Sequence, residues 1–197
     1  MPGKMTIERL TIQDLKSFPR VPWKNGNGHT RELAASDRGM DSKEPVWRIS
    51  QADIVHNTAF SSFPYYNRSL VLIDGAGLGL THVDQPPHTL KKPLDTAHFS
   101  GKYETLPTLL DGSVRVLNIM AQARDCQVKL TTVSTPTTIH VDCTYLALFV
   151  VSGEPSLDRL GESELVSFSA ENFVQIYQPC SGDYRFSGGS VIVIQIS

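Results

Sequence analysis

Apolar and polar residues alternate with a period of two along much of this chain. Val46-Trp47-Arg48-Ile49-Ser50 sets the pattern, with Trp47 and Ile49 on one side and Arg48 and Ser50 on the other, as a half-buried strand requires. The same signal, or a short apolar run, predicts strands over residues 68–74, 78–83, 114–121, 128–133, 138–141, 145–151, 173–177, 183–186 and 191–196. Turn residues stand between them: Asp74-Gly75, Asp111-Gly112, Ser152-Gly153, Ser181-Gly182 and Gly188-Gly189. Residues 86–93, from Pro86-Pro87 to Pro93, read as a loop. Only residues 12–18 carry a helical pattern, about two turns long, stopped by Pro19, which lacks a backbone donor.

Composition strengthens this picture. Val, Ile and Thr supply 42 of the 197 residues, against 10 Ala and 8 Glu. β-branched residues suit pleated surfaces, whereas Ala and Glu favour helices. An all-helical bundle is excluded, and many short strands with regular turns indicate a sandwich or barrel. An internal echo refines the expectation. Leu70-x-Leu72-x-x-Gly75 leads to Leu78 and Leu80, and Leu146-x-Leu148 leads through Ser152-Gly153 to Leu157. Both read as strand, glycine turn, strand, about half a chain apart, as in a duplicated barrel.

Charge narrows the function classes. The net charge of −2 offers no basic field for nucleic acid. No apolar run reaches the length of a membrane span, and the first residues lack a secretory h-region. The cysteines, Cys126, Cys143 and Cys180, form no CxxC pair. A cytoplasmic protein with reduced thiols is expected. The six histidines show neither HxH nor HxxxH spacing, so no resident metal or other cofactor is expected. His82 and His88 are spaced to meet across a hairpin. No GxSxG elbow is present. Gly75-Ala76-Gly77-Leu78-Gly79 leads into a strand, which fits a hairpin turn and not a dinucleotide fingerprint.

Four segments carry candidate chemistry. Residues 22–30, Pro-Trp-Lys-Asn-Gly-Asn-Gly-His-Thr, combine an aromatic, a cation, amides and glycines. Glycines let backbone amides turn toward an anion, and Lys24 and Asn25 add a charge and donors; a plain surface turn is the alternative. Arg48, on an inward face, needs a carboxylate, either fixed in the protein or brought by a ligand. Residues 60–68 hold four aromatics and Arg68, able to wall a pocket for a planar ligand or to cap a barrel end. Asn118 interrupts the apolar face of Val116 and Met120, so it needs a hydrogen bond from ligand or backbone.

Taken together, Pro22-Trp23-Lys24-Asn25-Gly26-Asn27-Gly28-His29-Thr30, Trp47-Arg48-Ile49-Ser50, Phe60-Ser61-Ser62-Phe63-Pro64, Arg68, His88-Thr89-Leu90 and Leu117-Asn118-Ile119-Met120 resemble the HutD/Ves family in order and spacing. The likeness is specific over residues 22–120 and looser beyond. It implies an all-β cupin-superfamily fold, a bicupin with two β-barrel or jelly-roll units. Residues 1–121 would form the first unit and 122–197 the second, with strands exchanged across the boundary. It also implies a metal-free protein of the histidine-utilisation pathway that binds urocanate or formylglutamate and limits flux, with no catalytic residues assigned. The expected ligand site is Trp23, Lys24, Asn25, Arg48, Ser50, Phe60, Phe63, Arg68, His88, Asn118 and Met120. The partner is then a small carboxylate, not nucleic acid or membrane, and a homodimer would close exposed sheet edges. Two other classes remain. One is a cupin-type enzyme acting on a small carboxylate, with His88 or His29 as general base. The other is an interaction module presenting the aromatics of residues 60–66.

Overall fold

The computed structural model describes residues 10–23, 28–37, 44–122, 124–134, 136–160, 165–179 and 181–197. Among them the chain forms sixteen strands. In chain order these are β1 (Leu10–Asp14), β2 (Val21–Pro22), β3 (Gly28–Ala35), β4 (Trp47–Ile54), β5 (Tyr66–Asp74), β6 (Leu78–His82), β7 (Gln85–Leu90) and β8 (Thr96–Ser100). There follow β9 (Thr105–Leu109), β10 (Val114–Gln122), β11 (Val128–Val133), β12 (Thr137–Val141), β13 (Tyr145–Arg159), β14 (Leu165–Ser167), β15 (Asn172–Tyr177) and β16 (Gly182–Ile196). The all-β expectation is met, and the chain divides into two compact units.

One unit spans Phe18–Cys126. It contains a six-stranded sheet in the order β2-β3-β4-β10-β5-β8 and a three-stranded sheet, β7-β6-β9. Pairings are antiparallel throughout. The inward faces of the sheets supply one apolar cluster, in which Ile54, Leu70, Leu72 and Val116 meet Leu78, Leu80 and Leu90. Residues 86–93 are not simply a loop, because β7 occupies most of them. As an edge strand paired only with β6, β7 tolerates the missing N–H groups of Pro86 and Pro87. The turn at Gly75, with φ of 104°, carries the chain from one sheet to the other. It does not close the expected hairpin, since β5 and β6 belong to different sheets.

The other unit joins the N-terminal segment to residues 127–197. Its seven-stranded sheet runs β1-β15-β13-β16-β11, with β12 also on β16 and β14 on β13. The expected helix over residues 12–18 is instead β1 and a 3-10 turn at Leu15–Ser17. Pairing of β1 with β15 overrides so short a helical pattern. Asp14 then caps the turn by accepting from Lys16 N at 2.7 Å. Ser152-Gly153 and Gly188-Gly189 do not end strands either. They form bulges within β13 and β16, where the register shifts. Gly153 has φ of +79°, and a Cβ there would come 2.8 Å from the Gly188 carbonyl, so glycine permits the close crossing. The two halves of the sequence echo therefore adopt different structures.

Candidate functional site

In the Phe18–Cys126 unit, the central strands of the six-stranded sheet order the inward side chains into rows. Val116 pairs with Ala52 on β4 and Leu72 on β5. Two residues along, Asn118 pairs with Ser50 and Leu70. Two further on, Met120 pairs with Arg48 and Arg68, and Arg68 pairs with Phe99 of β8. A period of two keeps all of these on one face. The face grades from apolar to amide and hydroxyl to cationic. It opens on a cavity of about 720 Å³ whose lining also includes Trp23, Thr30, Glu32, Phe60 and Phe63.

Arg68 is the centre of this site. It is only 8% exposed. Its Nε and one terminal nitrogen donate to Asn118 Oδ1 at 3.2 and 3.1 Å. Three rings surround the guanidinium carbon: Phe60 at 5.0 Å, Phe99 at 5.2 Å and Phe63 at 5.9 Å to the centroids. No carboxylate pairs with it among the described residues. Burial, and secondarily the Arg48 charge, lowers its pKa to about 10. It stays protonated at neutral pH, so among the described residues this buried cation faces the cavity with neutral partners. Such a group is costly, and cation–π contact returns only about 0.5–2 kcal/mol per ring.

Arg48 is placed differently. It is partly exposed, lies 4.0 Å from Glu32 Oε2, packs over Phe63 at 5.5 Å and approaches Met120 Sδ at 3.5 Å. Its protein carboxylate is therefore a weak, mostly solvated one. Asn118 Nδ2 donates to Ser50 Oγ at 3.5 Å, so its partners are Arg68 and Ser50, not the backbone or ligand alone. The wall at β2 and β3 depends on Gly28. A Cβ there would meet the Asp53 carbonyl at 2.5 Å and the Trp23 ring at 3.0 Å. The indole packs into that space, and its Nε1 donates to Thr30 Oγ1 at 2.7 Å.

The structure thus brings together Trp23, Arg48, Ser50, Phe60, Phe63, Arg68, Asn118 and Met120. Lys24 and Asn25 lie outside the described residues. His88 is not in the lining; it sits on β7 with Nδ1 3.0 Å from His82 Nε2. His29 stands on β3 opposite Asp53, also away from the lining. Of the aromatics in residues 60–66, Phe60 and Phe63 line the cavity, Tyr66 is buried and only Tyr65 is freely exposed. No cluster of three or more metal-ligating side chains occurs among the described residues.

The HutD family model matches residues 15–192. The chain belongs to the HutD family. A 21.2 kDa protein from the hutC 3′ region of Pseudomonas putida is 30% identical over 156 residues, which is 79% of this chain and 80% of that protein. Protein Ves of Escherichia fergusonii is 32% identical over 59% of this chain and 60% of its own length. The structure of HutD from Pseudomonas fluorescens SBW25, in a formate condition, superposes with a TM-score of 0.84 at 25% identity, covering 95% of this chain and 98% of that one. A Cupin 2 conserved barrel domain protein from Leptotrichia buccalis shares the fold at 9% identity, with a TM-score of 0.56 over 95% of this chain and 96% of its own. The fold is therefore of the cupin type.

Within this HutD-family site, sequence reading missed Glu32, Ala52, Ile54 and Leu70, and it noted Thr30 and Val116 without assigning them to the site. Most of the signal was present. Ala52 and Ile54 continue the Arg48–Ser50 face, Leu70 continues that of Arg68, and Val116 shares that of Asn118. Glu32 was hidden because residues 28–35 are too polar to announce a strand.

Proposed function

We propose that this protein is a small-molecule-binding regulator of the HutD type. It captures a small carboxylate from histidine degradation, urocanate or formylglutamate, and so limits flux through that pathway without catalysing a step. In this reading the chain is a bicupin, and its first barrel carries the ligand site. One observation supports it above the others: Arg68 is a buried guanidinium facing a cavity with no carboxylate partner among the described residues. A ligand carboxylate supplies the missing counter-charge through paired N–H···O bonds. Arg48 adds a second positive charge, Ser50 and Asn118 orient polar groups, and Phe60, Phe63 and Met120 cover an apolar or planar body. The hutC-region relative supports the pathway.

An enzyme needs a general base within reach of its substrate. The two histidines expected as bases, His29 and His88, stand outside the described lining, and its one carboxylate, Glu32, lies 4.0 Å from the Arg48 guanidinium. The binding reading therefore fits better. A thermal-shift screen tests it, using urocanate, formylglutamate, histidine, glutamate and divalent metals with and without chelator. Binding to the native state alone raises the melting temperature. A shift with urocanate or formylglutamate that chelator leaves unchanged is expected. A shift with metal alone moves the function to an enzymatic cupin.

A further inference from the structure

His82 and His88 are absent from the described lining of the binding site, yet they belong to the same unit of the chain. His82 is buried and follows Leu78 and Leu80 on the inward face of β6; His88 precedes buried Leu90 on β7. Their rings cross at 83°, with His82 Nε2 3.0 Å from His88 Nδ1. The other nitrogen of His82 lies 2.9 Å from Thr105 Oγ1. A hydrogen bond between two ring nitrogens holds one proton between them. The outer nitrogens, His82 Nδ1 and His88 Nε2, share one more proton when the pair is neutral. The pair therefore accepts a single further proton with its bonds intact. A second would set N–H against N–H across 3.0 Å.

The charges facing this pair are mainly positive. Phe99 of β8 lies between the pair and the anion site, its centroid 4.7 Å from that of His82 and 5.2 Å from the Arg68 guanidinium carbon. Arg68 on β5 faces the pair across that ring, and Arg48 on β4 stands beyond. From β9 comes the uncharged Thr105; its neighbour Glu104 is exposed and accepts from Val83 N through its backbone carbonyl. His98 on β8 is exposed and bonds to half-buried Ser69 instead. In keeping with this, burial first, then His88 and Arg68, lower the pKa of His82.

We propose that carboxylate binding at Arg68 is linked to proton uptake by the His82–His88 pair, which acts as a positioning pair that strengthens anion binding as pH falls. The proposal rests on the anion-site reading given above. An anion on Arg68 cancels the charge that opposes the extra proton. Reciprocity then requires the proton to raise anion affinity by the same factor.

The test is isothermal titration calorimetry with cinnamate, whose one titrating group, a carboxylate, stays ionised above pH 5.5, and with formate as a second probe. Two buffers of different ionisation heat count the protons. The wild type is expected to take up a fraction of one proton per bound anion near pH 6. Its affinity rises roughly three- to tenfold from pH 8.5 to 5.5. His82→Gln removes the uptake and the pH slope, and His88→Gln reduces both, because His82 alone still faces Arg68 across Phe99; melting curves confirm the fold. Binding with no proton uptake and a flat pH profile overturns the linkage and leaves the anion site standing. No response to either probe at any pH overturns the anion site, and the linkage with it.

Discussion

Arg68 and Asn118 are joined by two hydrogen bonds of 3.2 and 3.1 Å to a single amide oxygen, between adjacent strands and 50 residues apart in sequence. A neutral acceptor orients the guanidinium without discharging it. That is the arrangement expected of a cation held ready for an external anion, and it makes function and stability separable.

Arg68→Met removes a buried, unneutralised charge and replaces it with a side chain of similar reach. Carboxylate binding is expected to weaken by about 1.5–3 kcal/mol, the worth of a charge-assisted bond. The fold is expected to hold or gain up to about 1 kcal/mol, because buried charges are often less stabilising than apolar replacements. Calorimetry and thermal melts on one preparation check both halves.

Asn118→Asp gives Arg68 an internal counter-ion at the position now held by the amide oxygen. Ligand binding is expected to fall at least tenfold, since the new carboxylate occupies the donors that the ligand needs. Asn118→Ala, which only removes the acceptor, is expected to cost the fold about 1–2 kcal/mol and to reduce binding less. Affinities that ranked the two variants in the opposite order would count against the counter-charge argument.

Arg48 is partly exposed and already near Glu32. Arg48→Ala is therefore expected to weaken binding by about 0.5–1.5 kcal/mol, less than loss of Arg68, with an effect that shrinks at high salt. A salt series on the wild type and variant measures this.

Because His82 has a lowered pKa in the folded protein, the unfolded chain binds more protons just below pH 6.5. Stability of the unliganded protein is thus expected to be fully present above the unfolded value and to decline as pH falls below it. His82→Gln flattens that slope. Denaturant midpoints between pH 5 and 8 report it.

Gly153→Ala is expected to destabilise the fold by about 1–3 kcal/mol. It combines a positive φ with a Cβ placed 2.8 Å from the Gly188 carbonyl. A chemical denaturation curve decides the matter.

Much of the site was legible because strands write their faces into the sequence. The alternation around Arg48 and Ser50, and around Val116, Asn118 and Met120, placed these residues on shared inward faces before any strand was paired. Pairing itself was not legible. That Arg68, and not a backbone group, engages Asn118 depends on the register of β5 against β10, which no local pattern encodes. Local signals also misled where tertiary pairing or an edge changed their meaning. Residues 12–14 pair with β15 instead of starting a helix. Pro86-Pro87 lie on an edge strand, where a missing donor is tolerated. Gly153 and Gly188 bend long strands, although their turn chemistry predicts strand ends. His82 and His88 had the spacing of a cross-hairpin pair, but Phe99, which connects them to Arg68, became visible only in three dimensions.

The most direct test of the account is calorimetric titration of urocanate and formylglutamate into the wild type and Arg68→Met. The expected result is one-to-one binding of one of these carboxylates by the wild type, weakened at least tenfold in a variant that melts no lower. Equal affinity in the two proteins, or no binding of either compound by the wild type, would contradict it.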